Sequence, residues 1–130
     1  MKRIRWGRVL AAGFLSELAV FAVFIPATVL FGQVPGQYTA VAGSLVMPFL
    51  FGLWTARKAE AYFVLQGVMV GAVGIVIYLG LTRGQPEPLL YIFAHGLKLL
   101  GGAAGGYLAR AQKQRVVLST PQPANVTSKV

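Results

Sequence analysis

The sequence predicts an all-α membrane protein, with four transmembrane helices in an antiparallel bundle and both termini in the cytoplasm. Of its 130 residues, 56% are hydrophobic and only 12% are charged, about half the ~25% charged fraction of soluble domains. Its apolar segments are each close to the ~20 residues that cross ~30 Å of hydrocarbon. The basic residues gather at alternate segment ends, which favours a fixed orientation in the bilayer.

The first predicted span covers residues 9–31 and follows a basic stretch at residues 2–8. A basic start before an apolar run is also typical of a secretory signal. This run, however, is longer than the apolar core of a signal, and Glu17 interrupts it. We therefore expect a retained helix. Pro26 lies near the end of the helix, where it frees a backbone carbonyl and predicts a bend.

The second predicted span, residues 38–56, follows an uncharged, turn-rich loop at residues 32–37. Pro48 falls in the middle of the span and predicts a kink. Ser44 is the main polar side chain of the span. It is therefore a candidate member of a polar site inside the membrane.

The third predicted span covers residues 61–81 and contains Gly67 and Gly71. Small residues spaced four apart allow the backbones of two membrane helices to approach closely. We expect this pair to mark a helix contact. A proline-containing loop at residues 82–88 leads into the fourth span.

The fourth predicted span, residues 89–110, carries ionisable side chains as well as glycines. His95 and Lys98 lie one helical turn apart near its middle. Two glycine pairs follow them, namely Gly101, Gly102, Gly105 and Gly106. These glycines predict a close contact with a neighbouring helix or, alternatively, the seam of a dimer.

The four spans form one transmembrane domain, residues 1–110. Residues 111–130 are polar, contain prolines and lack sustained periodicity, so we expect a flexible cytoplasmic tail. Ten of the 12 lysines and arginines lie on the side of the two termini, Arg83 lies on the other side, and Lys98 lies within a span. Because basic residues accumulate on the cytoplasmic side of a membrane, both termini are predicted to be cytoplasmic.

Glu17 and Lys98 are opposite charges deep within predicted spans. A charge at the centre of a membrane costs at least ~2.5–3.5 kcal/mol, so such groups usually face the bundle interior and pair. The helical rise places Glu17 ~13 Å and Lys98 ~18 Å from the cytoplasmic ends of their spans, a difference of about one turn. We expect them to meet, with a water, Ser44 or His95 between them. The pair is either a structural device that fixes helix packing or a site for a proton or a substrate.

His95 is the single histidine of the chain, and with a lone carboxylate it does not complete a zinc site. We expect neither a metal nor a cofactor. His95 is either a buried histidine with a hydrogen-bonded neighbour or part of a proton relay with Lys98 and Glu17. Glu60 and Glu87 are loop residues with basic neighbours, and the sequence predicts solvated positions for both.

Several function classes are excluded or disfavoured. The chain has no cysteine, which excludes thiol catalysis and disulfides, and it has no nucleophile elbow or paired carboxylates. Basic segment ends account for its net charge of +9, and no basic patch interleaved with aromatics indicates nucleic-acid binding. We expect a multi-pass protein of a bacterial inner membrane without enzymatic activity. It would be a structural or accessory subunit whose partners are the lipid bilayer and a second copy or a larger membrane complex.

An alternative function follows from a resemblance. Four short spans with a carboxylate in the first, here Phe14-Leu15-Ser16-Glu17-Leu18, resemble the small multidrug resistance transporters. The resemblance covers chain size, number of spans and this one carboxylate. It implies a small ion-coupled transporter that works as a dimer, in which Glu17 binds protons and cationic substrates in competition. Lys98 departs from the family's pattern, because a fixed cation competes with a cationic substrate, and so does the long tail.

Overall fold

The computed structural model describes residues 3–121 and is all-helical there, as predicted. Its helices are α1 (Trp6–Phe31), α2 (Gln33–Arg57), α3 (Phe63–Thr82) and α4 (Leu89–Ser119). Within the described residues, α1, α2 and α3 are each long and apolar enough to cross a membrane. α4 is longer but less apolar, because it carries His95, Lys98, several glycines and the polar residues of 110–115.

The predicted loop at residues 32–37 is wrong, because the chain turns between α1 and α2 at Gly32 alone. Gly32 has a φ of 92°, in the region that favours glycine, and α2 begins at the next residue. Pro35 does not stop this helix, because the first four N–H groups of a helix have no partner inside it. A proline in that first turn therefore removes no helical hydrogen bond.

The fourth helix does not stop at Arg110 but continues to Ser119, into the segment predicted as a flexible tail. Residues 111–117 are helix-forming or tolerated in helices, and neither glycine nor proline interrupts them. The helix ends at Thr120, whose ψ is 120°, as expected for a residue before proline. Residues 122–130 of the predicted tail lie outside the described residues.

The helices pack as a ring in the order α1, α2, α4, α3, and α2 also contacts α3 across the ring. Consecutive helices run antiparallel: Gly36 of α2 lies beside Thr28 of α1, and Gly43 lies beside Val20. Within residues 3–121, the backbones of α1 and α4 make no close contact. These two helices therefore lie on opposite sides of the bundle.

The residues inside the bundle are small, and the large apolar side chains lie outside. The buried hydrophobic residues are alanines and valines, and most glycines of α3 and α4 are buried with them. Fully or largely exposed positions include Phe31, Val76, Leu89 and Phe93. An exposed apolar surface of this extent suits lipid rather than water.

Candidate functional site

α4 packs closely against both α2 and α3 because its two glycine pairs leave two faces of the helix without side chains. A Cβ atom at Gly101 would overlap the Leu45 carbonyl oxygen of α2, and one at Gly105 would overlap that of Phe49. The neighbouring glycines face α3 instead, where Gly102 meets the Gly67 carbonyl oxygen. The predicted close helix contact is thus inside the bundle, and it joins α4 to two helices at once.

Gly52 of α2 completes this contact, although the sequence did not single it out. A Cβ atom at Gly52 would lie 3.0 Å from the Gly102 carbonyl oxygen and 3.4 Å from the Gly67 Cα atom. Gly71 packs in the same way against the Lys98 carbonyl group. We call this set the glycine seam; its members are Gly52, Gly67, Gly71, Gly101, Gly102, Gly105 and Gly106.

Glu17 and Lys98 form a direct, buried ion pair between the two opposite helices of the ring. The Lys98 Nζ atom donates to both carboxylate oxygens of Glu17 at 2.9 Å. The two side chains are only 4% and 3% exposed. This two-oxygen contact offsets the loss of hydration that burial imposes on both charges.

The direct contact corrects the expectation that a water, Ser44 or His95 lies between the two charges. Gly74 of α3 explains the difference, because a Cβ atom there would lie 3.0 Å from Glu17 Oε2 and 4.0 Å from Lys98 Cδ. Because Gly74 has no side chain, the space beside α3 between Glu17 and Lys98 is free. The long lysine stem then spans the remaining distance between α1 and α4.

His95 pairs with Glu87, a residue for which the sequence predicted a solvated position. The His95 Nε2 atom lies 3.0 Å from Glu87 Oε2, and the two side chains are 14% and 11% exposed. The solvated position is therefore wrong for Glu87. The loop before α4 folds back over the first turns of that helix, which brings the carboxylate to the imidazole from eight residues away.

Tyr78 of α3 connects the two pairs. Its ring lies edge-on to His95, with 4.9 Å between the ring centroids, and Lys98 Nζ is 5.0 Å from the centre of the same ring. Phe21 and Tyr91 stack on either side of it at 6.3 Å. An aromatic wall thus extends from α1 through α3 to α4.

A cavity of about 300 Å³ lies beside this wall. It is in the half of the bundle away from the basic segment ends, near the α1–α2 turn and the 83–88 loop; we call this end of the bundle the far end. All four helices line it. Its lining residues are Glu17, Val20, Phe21, Phe24, Ala40, Ser44, Tyr78, Leu81, Thr82, Tyr91, Ala94, His95 and Lys98.

The cavity brings together the four polar residues singled out from the sequence. Glu17, Lys98, His95 and Ser44 all line it, although Ser44 bridges neither pair. Five buried side-chain atoms of the described residues have no hydrogen-bond partner, and two of them, His95 Nδ1 and Glu87 Oε1, belong to the His95–Glu87 pair. The arrangement can hold water or a proton next to two opposite charges.

The opposite end of the bundle, where the basic residues lie, has a different character; we call it the basic end. Arg8 donates to the Trp54 carbonyl oxygen and lies 4.1 Å over the Trp54 ring. Lys113 donates to the Ala59 carbonyl oxygen at 2.9 Å and so attaches the last turns of α4 to the α2–α3 loop. At this end, two basic side chains thus donate to backbone carbonyl oxygens of the chain itself.

Among residues 3–121, no three His, Asp or Glu side chains come together in a way that holds a metal ion. Comparison of the chain with protein-family models, with curated proteins and with solved structures found no match. The cavity and its ion pairs therefore have to be interpreted from their own geometry.

Proposed function

We propose that all four helices cross the bilayer, that both termini are cytoplasmic, and that the protein is a multi-pass protein of a bacterial inner membrane. Support for the fourth span comes from the glycine seam, through which α4 packs along both α2 and α3. A helix in such contact with two apolar helices has to share their environment. Support for the orientation comes from the basic end, because cytoplasmic segments carry the excess of lysine and arginine.

Within that membrane, we propose a structural or accessory role without catalysis. The observation that carries this proposal is the Glu17–Lys98 pair, in which each charge is fully used by the other. A buried pair of this kind determines which helices pack together, because any other arrangement leaves a charge alone in the bundle. The pair is thus suited to maintaining one fixed shape.

The end of α4 offers a surface for a partner subunit. Beyond the basic end, this helix exposes three consecutive apolar residues: Val116, Val117 and Leu118 are 64%, 67% and 85% exposed. A groove of about 470 Å³ beside them is lined by Phe63 and Arg110 among others. An exposed apolar helix end next to basic groups suits contact with an adjacent membrane protein near the headgroup layer.

The test is co-purification of the tagged chain from its native membrane in a mild detergent. We expect a second protein in fixed ratio, and we expect Leu118→Lys to release it, because a lysine disrupts the apolar contact. Ser119→Lys is the matched control, since this neighbouring residue is polar and exposed and does not line the groove. A wild-type chain that elutes with no other protein at every detergent concentration contradicts the accessory role.

A second candidate function, ion-coupled transport by a dimer with Glu17 as the coupling residue, is favoured by one observation. The cavity reaches Glu17 inside the bundle, which gives a solute or proton a place beside the carboxylate. A chain that purifies only with itself, and that moves protons in liposomes in a manner abolished by Glu17→Gln, would support this function over the accessory role.

A further inference from the structure

The two halves of the bundle differ in how tightly the helices meet. Toward the basic end, the glycine seam places backbone against backbone, with Gly71 directly on the Lys98 carbonyl group. Toward the far end, α1 and α2 still meet closely at Thr28 and Gly36, but all four helices surround the cavity. The Glu17–Lys98 pair lies between the two halves. We call the half that contains the cavity the open half and the half that contains most of the glycine seam the closed half.

The open half has both the room and the polar groups that water requires. A water molecule needs at least ~10–15 Å³ of such space and 2–4 polar partners, and the cavity holds about 300 Å³. Polar groups are spread over its depth: Thr82 and His95 toward the far end, then Ser44, then the Glu17–Lys98 pair.

One unpartnered atom in the cavity lining is a further observation that points to the same occupant. His95 lines the cavity, and its Nδ1 atom is buried and has no partner in the protein. Buried polar atoms in folded proteins are almost always hydrogen-bonded, to protein or to ordered water. Water in the cavity would supply the missing partner of His95 Nδ1.

We propose that the cavity is a water-filled vestibule that opens only at the far end and brings water, and the protons it carries, to the Glu17–Lys98 pair. It rests on the proposed membrane placement, in which lipid surrounds the helices and the far end faces the extracytoplasmic side. Water then reaches the Glu17–Lys98 pair from one side of the membrane alone. The charged groups near His95 are Glu87, which pairs with it, and the Glu17–Lys98 pair, which lies deeper in the bundle.

The experiment uses the absence of native cysteine. Single cysteines replace alanines in each half: Ala40 and Ala94 in the vestibule wall, and Ala12 and Ala56 in the closed half. All four alanines are buried, at 7%, 3%, 0% and 0% exposure, so the variants are matched. A small, charged, membrane-impermeant methanethiosulfonate reagent modifies thiols that can ionise in contact with water. It is added to right-side-out and to inside-out membrane vesicles.

We expect Ala40→Cys and Ala94→Cys to react from the side on which Gln85→Cys reacts, at least tenfold faster than Ala12→Cys and Ala56→Cys. No reaction of the vestibule cysteines from that side, while Gln85→Cys reacts fully, overturns the vestibule and leaves the membrane placement intact. Equal reaction from both sides, or equal reaction in both halves, overturns the closure at the glycine seam. If Gln85→Cys reacts only from the cytoplasmic side, the proposed orientation is wrong. The vestibule is then tested by whether Ala40→Cys and Ala94→Cys react from that same side.

Discussion

At the scale of single residues, Glu17 and Lys98 depend on each other because neither has another charge within reach that is equally buried. Lys98 gives two of its N–H groups to the two carboxylate oxygens, and Tyr78 faces the ammonium group from the third helix. Removal of one partner leaves an uncompensated charge, which costs about 3–5 kcal/mol when it is buried. Removal of both partners leaves no charge to stabilise.

The residue-scale prediction is a double-mutant cycle. Glu17→Gln and Lys98→Met should each lower the free energy of unfolding by about 3–5 kcal/mol, because each change leaves the partner's charge buried and uncompensated. The double variant should recover at least half of the summed loss. Detergent-induced unfolding in mixed micelles gives the three free energies, and the cycle yields the coupling term.

Glu60→Gln is the control for this cycle, because Glu60 is an exposed acid outside the helices. It should change the free energy of unfolding by less than ~0.5 kcal/mol. Strictly additive losses for Glu17→Gln and Lys98→Met would mean that the two side chains do not interact, in conflict with the geometry described above.

At the scale of elements, the position of α4 depends on glycines that face two different helices. Gly101 and Gly105 meet α2, whereas Gly102 and Gly106 meet α3. Successive residues on a helix point about 100° apart, so two glycine pairs offset by one residue provide two flat faces. One pair alone would allow a close approach to only one neighbour.

The element-scale prediction compares two glycines of the same helix. Gly102→Ala should destabilise the bundle by about 1–3 kcal/mol or more, because its new methyl group overlaps the Gly67 carbonyl oxygen. Gly96→Ala should be neutral or stabilising, because nothing lies within 4 Å of its Cβ position and alanine is the better helix former. Thermal aggregation in detergent compares the two variants; equal stability would show that α4 does not pack through Gly102.

The sequence predicted the helices and the pairing of Glu17 with Lys98 because both follow from local composition and depth along a helix. It did not predict the roles of Gly52, Gly74 or Tyr78. Those roles depend on which helix faces meet, and a nearly all-apolar helix carries little periodic signal for its inner face. Glu87 was misplaced for a related reason: whether a loop carboxylate reaches His95 depends on the fold of the loop and not on its composition.

At the scale of the whole molecule, charge and shape divide the bundle into two unlike ends. Eight of the ten lysines and arginines in residues 3–121 lie at the basic end, where Arg8 also contacts Trp54. The far end carries Arg83 and Glu87 and opens into the cavity. Such asymmetry predicts a single orientation in the membrane rather than two.

The whole-molecule prediction tests that orientation with two exposed loop positions. Gln85→Cys should be labelled by an impermeant maleimide on intact cells, and Glu60→Cys should be labelled only after the membrane is permeabilised. Both residues are exposed, so access and not burial decides the result. Labelling of Glu60→Cys on intact cells would reverse the proposed orientation.

The placement of the ion pair on the first and last helices has a consequence for how the protein is made. Lys98 lies 81 residues after Glu17, which a ribosome adding ~5–20 residues per second completes about 4–16 s later. Under the proposed membrane placement, α1 remains for that time without the partner of its buried carboxyl group, and an unpaired ionisable group inside a membrane is costly. The synthesis of α4 then supplies Lys98, so α1 reaches its full stability only after α4 has been made.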